Sequence, residues 1–294
     1  MKMGIDIGGS HIAVGIVSEN GRILAKQEKD IAFVNIEKEK VKQEIRDNII
    51  SLINAVLKQM QLPIFIIEEI GIGFPAIVEE NKIKKCDKFA ILNWNLAEEL
   101  EEHYKVTVKL QNDAIYAAIA EREYGSLQGS TKAVFLCLGT GIGGATIIEN
   151  KVLPSEYGHI IIERNGKKCN CGNKGCFENY CSMKSFKDKI IEILQLNTDL
   201  TAKELKEILI KEQENEKINN YINEYINTLV IGICNIANIF NPEKICIGGS
   251  FVYFEQILYK KLLEQIEIYS YKFNKPKIVL AKLGNDAGII GACV

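Results

Sequence analysis

A strand, glycine turn and strand unit occurs twice in this 294-residue chain, and this repeat limits the possible folds more than any other feature. The first copy, MGIDIGGSHIAVGIVSENGRIL, begins at Met3, and the second, TKAVFLCLGTGIGGATIIENKVL, begins at Thr131. In each copy two apolar runs flank a glycine-rich turn, and Glu-Asn, a basic residue and a leucine follow. Because one copy lies in each half, the repeat predicts two lobes with related cores and a cleft between them.

A metal motif lies after the second copy, between Glu156 and Glu178. One histidine and three cysteines fall within this short, loop-rich segment: His159, Cys169, Cys171 and Cys176. Four such ligands are what a tetrahedral structural zinc needs, with no position left for water. Ordinary buried or surface thiols are the alternative. If the metal is structural, we expect Glu156 and Glu178, which flank it, to carry function.

Composition excludes several classes of function. The chain is 47% hydrophobic and 25% charged, as soluble globular proteins are, and its length suits two lobes of about 150 residues. A net charge of −2 argues against a nucleic-acid partner. Since no apolar run is long enough to span a membrane and no signal-peptide pattern opens the chain, we expect no membrane partner. Three of the nine cysteines belong to the metal motif and the others are scattered, which favours a reducing cytoplasm.

Three glycine turns are candidates for nucleotide binding. Asp6 lies in the first apolar run, just before Gly8-Gly9-Ser10, and a buried carboxylate is costly unless it is paired or faces a metal ion. Free N–H groups of such a turn suit phosphate, although a plain hairpin turn fits equally well. Gly139-Thr140-Gly141 adds a hydroxyl, and the two turns together could hold the ends of a triphosphate. Gly248-Gly249-Ser250 is either a ribose or adenine site or a simple turn.

Two further stretches combine polar groups with the ends of predicted strands. Asn112-Asp113 closes the strand VTVKLQ before a helix. Helix capping is one role for the pair, and a catalytic carboxylate at a strand end is the other. Asn93, beside the only tryptophan, is a candidate sugar-binding residue, with packing as the alternative role of Trp94.

The motifs DIGGS, NDA, LGTGIGG, ExGH, CxCGxxGCxE, IGGS and NDAGIIGA occur here in the order of the ROK family (repressors, open reading frames and sugar kinases). The chain resembles that family over essentially its whole length. The resemblance implies an α/β, two-lobed actin-like ATPase (ribonuclease H-like) fold with a central cleft and a structural zinc loop. It places the first lobe at residues 1–115, with the C-terminal helix 284–294 packing back on it. The second lobe would be residues 116–283, with the zinc loop at 156–178.

The resemblance also implies roles for individual residues. Asp113 would be the general base, and Asp6 would orient Mg²⁺ through water. Sugar hydroxyls would be contacted by Asn112, Glu156, His159 and Glu178, with His159 also binding zinc. Phosphates would be held by Gly8, Gly9, Ser10, Thr140 and Gly141, and the nucleoside by Gly249 and Ser250.

Three departures from the family pattern concern the substrate. Ser10-His11 replaces the usual Thr-Lys or Thr-Asn and keeps the hydroxyl. Ala76 replaces the last glycine of the proline loop, which narrows the expected sugar pocket. The segment between Gly144 and Glu156 is several residues shorter than usual, and the missing part is a glycine-rich loop near the sugar. The range of sugars therefore stays open.

The expected activity is transfer of the ATP γ-phosphoryl group to a hexose hydroxyl, with glucose C6 as the default and a homodimer as the assembly. N-acetylmannosamine, N-acetylglucosamine, allose and fructose are alternative substrates. A second hypothesis is a sugar-sensing regulator. Repressor members carry a helix-turn-helix before the first glycine turn, where this chain begins, so we expect an enzyme. A third is a zinc-stabilised scaffold, against which Asp6, Asp113 and both turns argue.

Overall fold

The computed structural model describes residues 1–9, 11–32, 38–149, 151–196, 200–271 and 275–294. The chain divides into two compact units. Unit 1 consists of Met1–Gln128 and Asn285–Val294, and unit 2 of Gly129–Gly284.

Unit 1 is built on a five-stranded mixed sheet with the strand order β3-β2-β1-β4-β8. The first three strands are antiparallel, whereas β4 and β8 run parallel to β1. A smaller antiparallel sheet has the order β5-β6-β7. The strands are β1 (Lys2–Ile7), β2 (His11–Val17), β3 (Ile23–Asp30), β4 (Glu69–Phe74), β5 (Ile77–Glu79), β6 (Lys82–Cys86), β7 (Ile91–Trp94) and β8 (Thr107–Asn112). The helices are α1 (Lys38–Met60), α2 (Leu96–Tyr104) and α3 (Asp113–Glu123).

Unit 2 repeats the sheet topology of unit 1. Its strand order is β11-β10-β9-β12-β13. Strands β11, β10 and β9 are antiparallel, whereas β12 and β13 run parallel to β9. The strands are β9 (Lys132–Leu138), β10 (Ile142–Ile148), β11 (Lys151–Pro154), β12 (Lys244–Gly248) and β13 (Lys277–Leu280). The helices are α4 (Glu178–Cys181), α5 (Met183–Leu194), α6 (Ala202–Lys211), α7 (Glu216–Phe240) and α8 (Lys260–Tyr269). The predicted pair of related α/β cores is therefore confirmed.

The last helix, α9 (Ala287–Gly291), belongs to unit 1 and packs against β1 and α3. Its backbone comes very close to the central sheet. A Cβ atom at Gly4 would overlap the carbonyl oxygen of Ile289, and one at Gly71 would overlap that of Ala292. Glycine at these two positions lets the helix approach the strands, which explains why the sheet sequence contains them.

The central strands are apolar along most of their length, as expected for strands covered on both faces. Helix α7 shows how sequence sets the helix ends in unit 2. The Asn215 side chain accepts hydrogen bonds from the backbone of Lys217 and Ile218, which caps its start. Its end falls at Asn241, in the left-handed conformation (φ 43°), and Pro242 follows.

The observed division of the chain falls later than the expected one between residues 115 and 116. That boundary would cut through α3, whereas α3 packs against α9, β4 and β8 and lies wholly in unit 1. Among the residues that the structure describes, no helix combines the length and the apolar character needed to cross a membrane.

Candidate active site

Three parallel strands of unit 1 end at the same edge of the sheet, and the predicted acidic residues lie at this edge. Asp6 of β1 is in register with Gly73 of β4, and Phe74 of β4 is in register with Asn112 of β8. Asp113 directly follows as the first residue of α3. The carboxyl ends of parallel strands are where α/β proteins collect ligands, so the topology brings Asp6 and Asp113 to a favourable place.

The Asp6 carboxylate is mostly buried, with 15% of its side chain exposed, and has no close cationic partner. Burial, followed by the nearby Asp113 carboxylate, raises the pKa of Asp6 to about 7, and Lys26 opposes this shift. The nearest basic nitrogen is Nε2 of His11, 3.9 Å from Oδ2. On the other side the carboxylate lies against Gly288, where a Cβ would be 2.5 Å from the Asp6 Cγ. Such a group favours a cation beside it.

Asp113 shares this environment. Asp113 is partly buried, and this burial raises its pKa, although a hydrogen bond from the Ala114 N–H to Oδ1 (2.9 Å) opposes the shift. Two desolvated carboxylates close enough to perturb each other are a common arrangement at sites of proton transfer or hard-cation binding. Oxygen ligands of this kind fit Mg²⁺, which prefers carboxylates and water.

Asn112 has the capping role. Its Oδ1 accepts a hydrogen bond from the Ala114 N–H (3.0 Å) at the start of α3. Its Nδ2 donates to the carbonyl of Ala76 (3.2 Å) in the proline loop. The amide therefore holds the start of α3 against that loop. A sugar contact by Asn112 stays a prediction.

The first glycine turn carries Gly8 and Gly9, and Ser10 lies outside the described residues. The Gly8 N–H donates to the carbonyl of His11 (2.9 Å), which closes the hairpin. A Cβ at Gly8 would be 2.5 Å from the His11 ring, and one at Gly9 would overlap Nζ of Lys88. Lys88, from the loop after β6, therefore lies directly against the turn.

Asn93 lies in a different pocket of unit 1. This polar cavity of about 500 Å³ is lined by Lys42, Gln43, Arg46, Asn93, Trp94, Asn95 and Glu99. Trp94 is buried, donates from Nε1 to Glu99 (2.9 Å) and packs edge-on against Phe74. Trp94 is therefore a packing residue, as the alternative interpretation expected, and the sugar-binding role of Asn93 stays a prediction.

Unit 2 brings the four predicted metal ligands together. The ligand atoms of His159, Cys169, Cys171 and Cys176 all lie within 4.8 Å of one another. The sulfurs of Cys171 and Cys176 are 3.6 Å apart, and Cys169 Sγ is 3.8 Å from Nδ1 of His159. A regular tetrahedron with zinc–sulfur bonds of about 2.3 Å has edges of about 3.8 Å. The donor set and its spacing fit a structural zinc ion.

The metal loop is joined to the second glycine turn through Glu178. This residue begins α4, two residues after Cys176, and its Oε2 accepts a hydrogen bond from the Ile142 N–H (2.8 Å). Gly141 lies so close that a Cβ there would overlap the same oxygen. The start of α5 also donates to the turn, from the Lys184 N–H to the carbonyl of Gly139 (3.3 Å). These contacts tie the metal loop to the second glycine turn, so a change in the position of one would move the other.

The other predicted residues of unit 2 are placed around this turn and the metal loop. Gly249 packs on the turn, because a Cβ there would be 2.5 Å from the Leu138 carbonyl. Thr140 is exposed and Ser250 is partly exposed, and neither hydroxyl has a hydrogen-bond partner in the described part of the chain. Glu156 is exposed, and its carbonyl accepts from the His159 N–H (3.0 Å). His159 directs Nδ1 at Cys169, which leaves Nε2 for another partner.

The sequence did not identify two neighbours of the carboxylates: Lys88, which interacts with Asp113, and Gly288, which lies against Asp6. Lys88 is one of several lysines in KIKKCDKF, and no spacing distinguishes it from its neighbours. Gly288 stands in NDAGIIGA, but its contact with Asp6 joins residues at opposite ends of the sequence.

A family model described as the ROK family matches residues 2–294. The chain belongs to the ROK family. This ROK-family chain is 29% identical to a glucokinase of Thermotoga maritima over 312 aligned residues, which cover 99% of the chain and 95% of that protein. It is 26% identical to the xylose repressor of Bacillus subtilis over 307 residues, which cover 99% of the chain and 75% of the repressor.

A solved structure agrees with these relatives. It is a ROK family glucokinase from Streptomyces griseus in complex with glucose and AMPPNP. The TM-score is 0.79 at 25% identity, and the match covers 99% of this ROK-family chain and 97% of the other. The predicted two-lobed α/β fold is confirmed.

Proposed function

We propose that this chain is an ATP-dependent kinase that phosphorylates a hexose hydroxyl, with glucose C6 as the first candidate. The observation that carries the proposal is the pair of partly buried, mutually interacting carboxylates, Asp6 and Asp113, beside the first glycine turn. A glucokinase relative and a glucokinase structure with glucose and AMPPNP support the choice of sugar and nucleotide.

Asp113 is the general base in this proposal. Its carboxylate takes the proton of the attacking sugar hydroxyl as that oxygen bonds to the γ-phosphorus. The bond to the bridging oxygen of ADP breaks in the same transfer. Because burial raises the pKa of Asp113, its carboxylate is a stronger proton acceptor than an exposed aspartate, provided it is ionised when the sugar binds. Phosphoryl transfer otherwise depends chiefly on positioning and charge stabilisation.

Asp6 orients Mg²⁺ through water in this proposal, and the bound ion neutralises phosphate oxygens. Gly8, Gly9 and Ser10 in unit 1 and Thr140 and Gly141 in unit 2 hold phosphates. Gly249 and Ser250 contact the nucleoside. The unpartnered hydroxyls of Thr140 and Ser250 support these roles.

The metal loop positions the sugar-binding groups of unit 2. Zinc bound by His159 and the three cysteines fixes Glu156 and Glu178 as acceptors for sugar hydroxyls, and His159 donates from Nε2. One Glu178 oxygen already accepts from Ile142, so the other oxygen serves the sugar. In unit 1, Asn112 and Asn93 are the further sugar contacts proposed from the sequence.

Sugar-dependent ADP release across a panel of hexoses and N-acetylhexosamines tests the function. We expect rapid release with one or a few sugars and little release without sugar. N-acetylmannosamine, N-acetylglucosamine and fructose are in the panel because the short connection from Gly144 to Glu156 leaves the choice open. Equal release with and without every sugar would refute kinase function.

A sugar-sensing regulator is the second candidate, and the similarity to a xylose repressor favours it. A regulator would bind a sugar without releasing ADP. Calorimetry with the same panel of sugars measures the binding, and the ADP assay shows whether turnover accompanies it. A cytoplasmic homodimer completes the proposal. The six cysteines outside the metal set are scattered along the sequence, which agrees with a reducing compartment.

A further inference from the structure

Lys88 lies against Gly9 of the first glycine turn. It stands in the turn between β6 and β7, and its Nζ is the nearest atom to the position of a Cβ on Gly9. The next nearest atoms are Cε and Cδ of the same side chain. The ammonium end of Lys88 therefore covers Gly9, and no other side chain comes as close there.

The ammonium has no protein partner that would explain this position. Within the described residues, the Lys88 ammonium makes no hydrogen bond and no ion pair within 4.0 Å, although the Lys88 backbone interacts with the Cys86 thiol. The neighbouring lysine behaves differently, because Lys85 pairs with Asp87 at 2.8 Å. A cation held over a glycine turn without a paired acceptor is available for an anionic ligand.

The turn itself offers a second donor. The Gly8 N–H is used in the hairpin, whereas the Gly9 N–H has no acceptor among the described residues. A backbone N–H without an acceptor and an ammonium that lie close together are two kinds of donor that bind phosphate oxygens. The absence of a Cβ on Gly9 lets the Lys88 ammonium come this close to the turn.

The electrostatic surroundings agree with this geometry. Partial burial lowers the pKa of Lys88, and the Cys86 thiol and Asp113 carboxylate oppose the shift. The lysine is therefore desolvated and close enough to Asp113 to interact with it. A phosphoryl group between the two would have a cation on one side and the proton acceptor on the other.

We propose that Lys88 contacts the transferred γ-phosphoryl group of ATP and stabilises the charge on its oxygens during transfer. This inference rests on the proposed kinase function. Lys88 keeps its proton throughout. The sugar oxygen bonds to the γ-phosphorus, the bond to the β,γ-bridging oxygen breaks, the hydroxyl proton goes to Asp113, and ADP leaves.

Binding of AMP-PNP and of ADP, each with Mg²⁺, tests the contact by calorimetry without any turnover. Lys88→Met removes the ammonium and keeps the stem. We expect it to weaken AMP-PNP binding by about 10- to 100-fold, the range for one hydrogen bond to a charged group, and ADP binding by less than about twofold. Lys88→Arg should restore most of the difference. Lys85→Met, in the adjoining strand β6, is the matched control and should bind both nucleotides as the unchanged protein does.

Turnover provides an independent readout. With an accepted sugar, Lys88→Met should lower kcat by about 10²- to 10³-fold, as loss of one charge-stabilising donor does elsewhere. Thermal unfolding checks that each variant is folded.

The outcomes separate this inference from the kinase proposal. Equal weakening of AMP-PNP and ADP binding, or unchanged AMP-PNP binding in Lys88→Met, would overturn the γ-phosphoryl contact even if the protein is an active kinase. If the unchanged protein releases no sugar-dependent ADP but its AMP-PNP preference depends on Lys88, the kinase proposal fails and the contact stands. Failure of the unchanged protein to bind AMP-PNP would overturn both.

Discussion

Removal of one metal ligand, Cys171→Ser, is the perturbation that tests most of unit 2 at once. Cys171 is exposed, so the substitution leaves no cavity, and its sulfur is 3.6 Å from that of Cys176. The buried core around it stays unchanged. Any loss of stability therefore reports the metal and not packing.

The size of the effect follows from linkage. A ligand present at 100 times its dissociation constant stabilises the folded state by about 2.7 kcal/mol. For a unit of about 150–250 residues, each kcal/mol shifts the melting temperature by about 2–4 °C. Loss of zinc should therefore lower the melting temperature of unit 2 by about 5–10 °C.

The assay combines zinc content with thermal unfolding and sugar binding. The protein as purified should hold one zinc per chain, whereas Cys171→Ser should hold little. Because Glu178 follows Cys176 by two residues and accepts a hydrogen bond from Ile142, sugar affinity should fall together with the metal.

Cys234→Ser is the matched control. Cys234 lies in α7, outside the metal set, with its sulfur 3.9 Å from the Ser270 hydroxyl. It should keep zinc, melting temperature and sugar affinity. A metal-free protein with an unchanged melting temperature and full sugar affinity would refute the role given to the metal loop.

Three further predictions concern the carboxylates. Asp113→Asn should fold normally and bind sugar but lose about 10²- to 10⁴-fold in kcat, measured as sugar-dependent ADP release, since a general base contributes that much; near-normal turnover would refute the base assignment. Asp6→Asn should be more stable than the unchanged protein at pH 8 and inactive. In the folded protein Asp6 keeps its proton up to about pH 7, whereas in the unfolded chain it loses the proton near pH 3.8. Between these pH values the folded state binds one more proton than the unfolded state, so the stability of the protein falls as the pH rises. The variant should exceed the unchanged protein in stability by roughly 3–5 kcal/mol at pH 8, and this difference should be absent below about pH 4. Melting curves at pH 8 and below pH 4 check it, and equal stability of the two proteins at pH 8 would contradict the buried, unpaired state of Asp6. Glu178→Gln keeps an acceptor for the Ile142 N–H and should raise the KM for sugar at least about tenfold without loss of zinc, whereas an unchanged KM would remove Glu178 from the sugar site.

Much of the fold could be predicted because it depends on local patterns. The repeated strand, glycine turn and strand unit identified two cores, and the structure shows the same five-strand topology in both. The four metal ligands could be identified because their spacing is short and their chemistry restricted. The point where the chain passes from unit 1 to unit 2 was harder to predict than the helix α3 itself, since it depends on packing of α3 against α9, which lies at the far end of the sequence.

The residues of the candidate site were harder to predict from the sequence than the fold was. Asp6 stood out as a carboxylate within an apolar strand. For Asp113 the strand-end position left helix capping and catalysis open, and the role of general base came from the family resemblance. Lys88 was not, because its contact with Gly9 depends on how the β6–β7 turn folds back over β1. Glu178 was assigned to sugar hydroxyls alone, and its hydrogen bond to Ile142 appears only in three dimensions.

Phosphorus NMR of the protein mixed with ATP, Mg²⁺ and glucose tests the central proposal most directly. The account predicts that a sugar phosphate ester appears at the same rate as ADP, with little free phosphate, and that neither appears with Asp113→Asn. Formation of free phosphate without an ester, or of neither product with glucose or any other sugar of the panel, would contradict it.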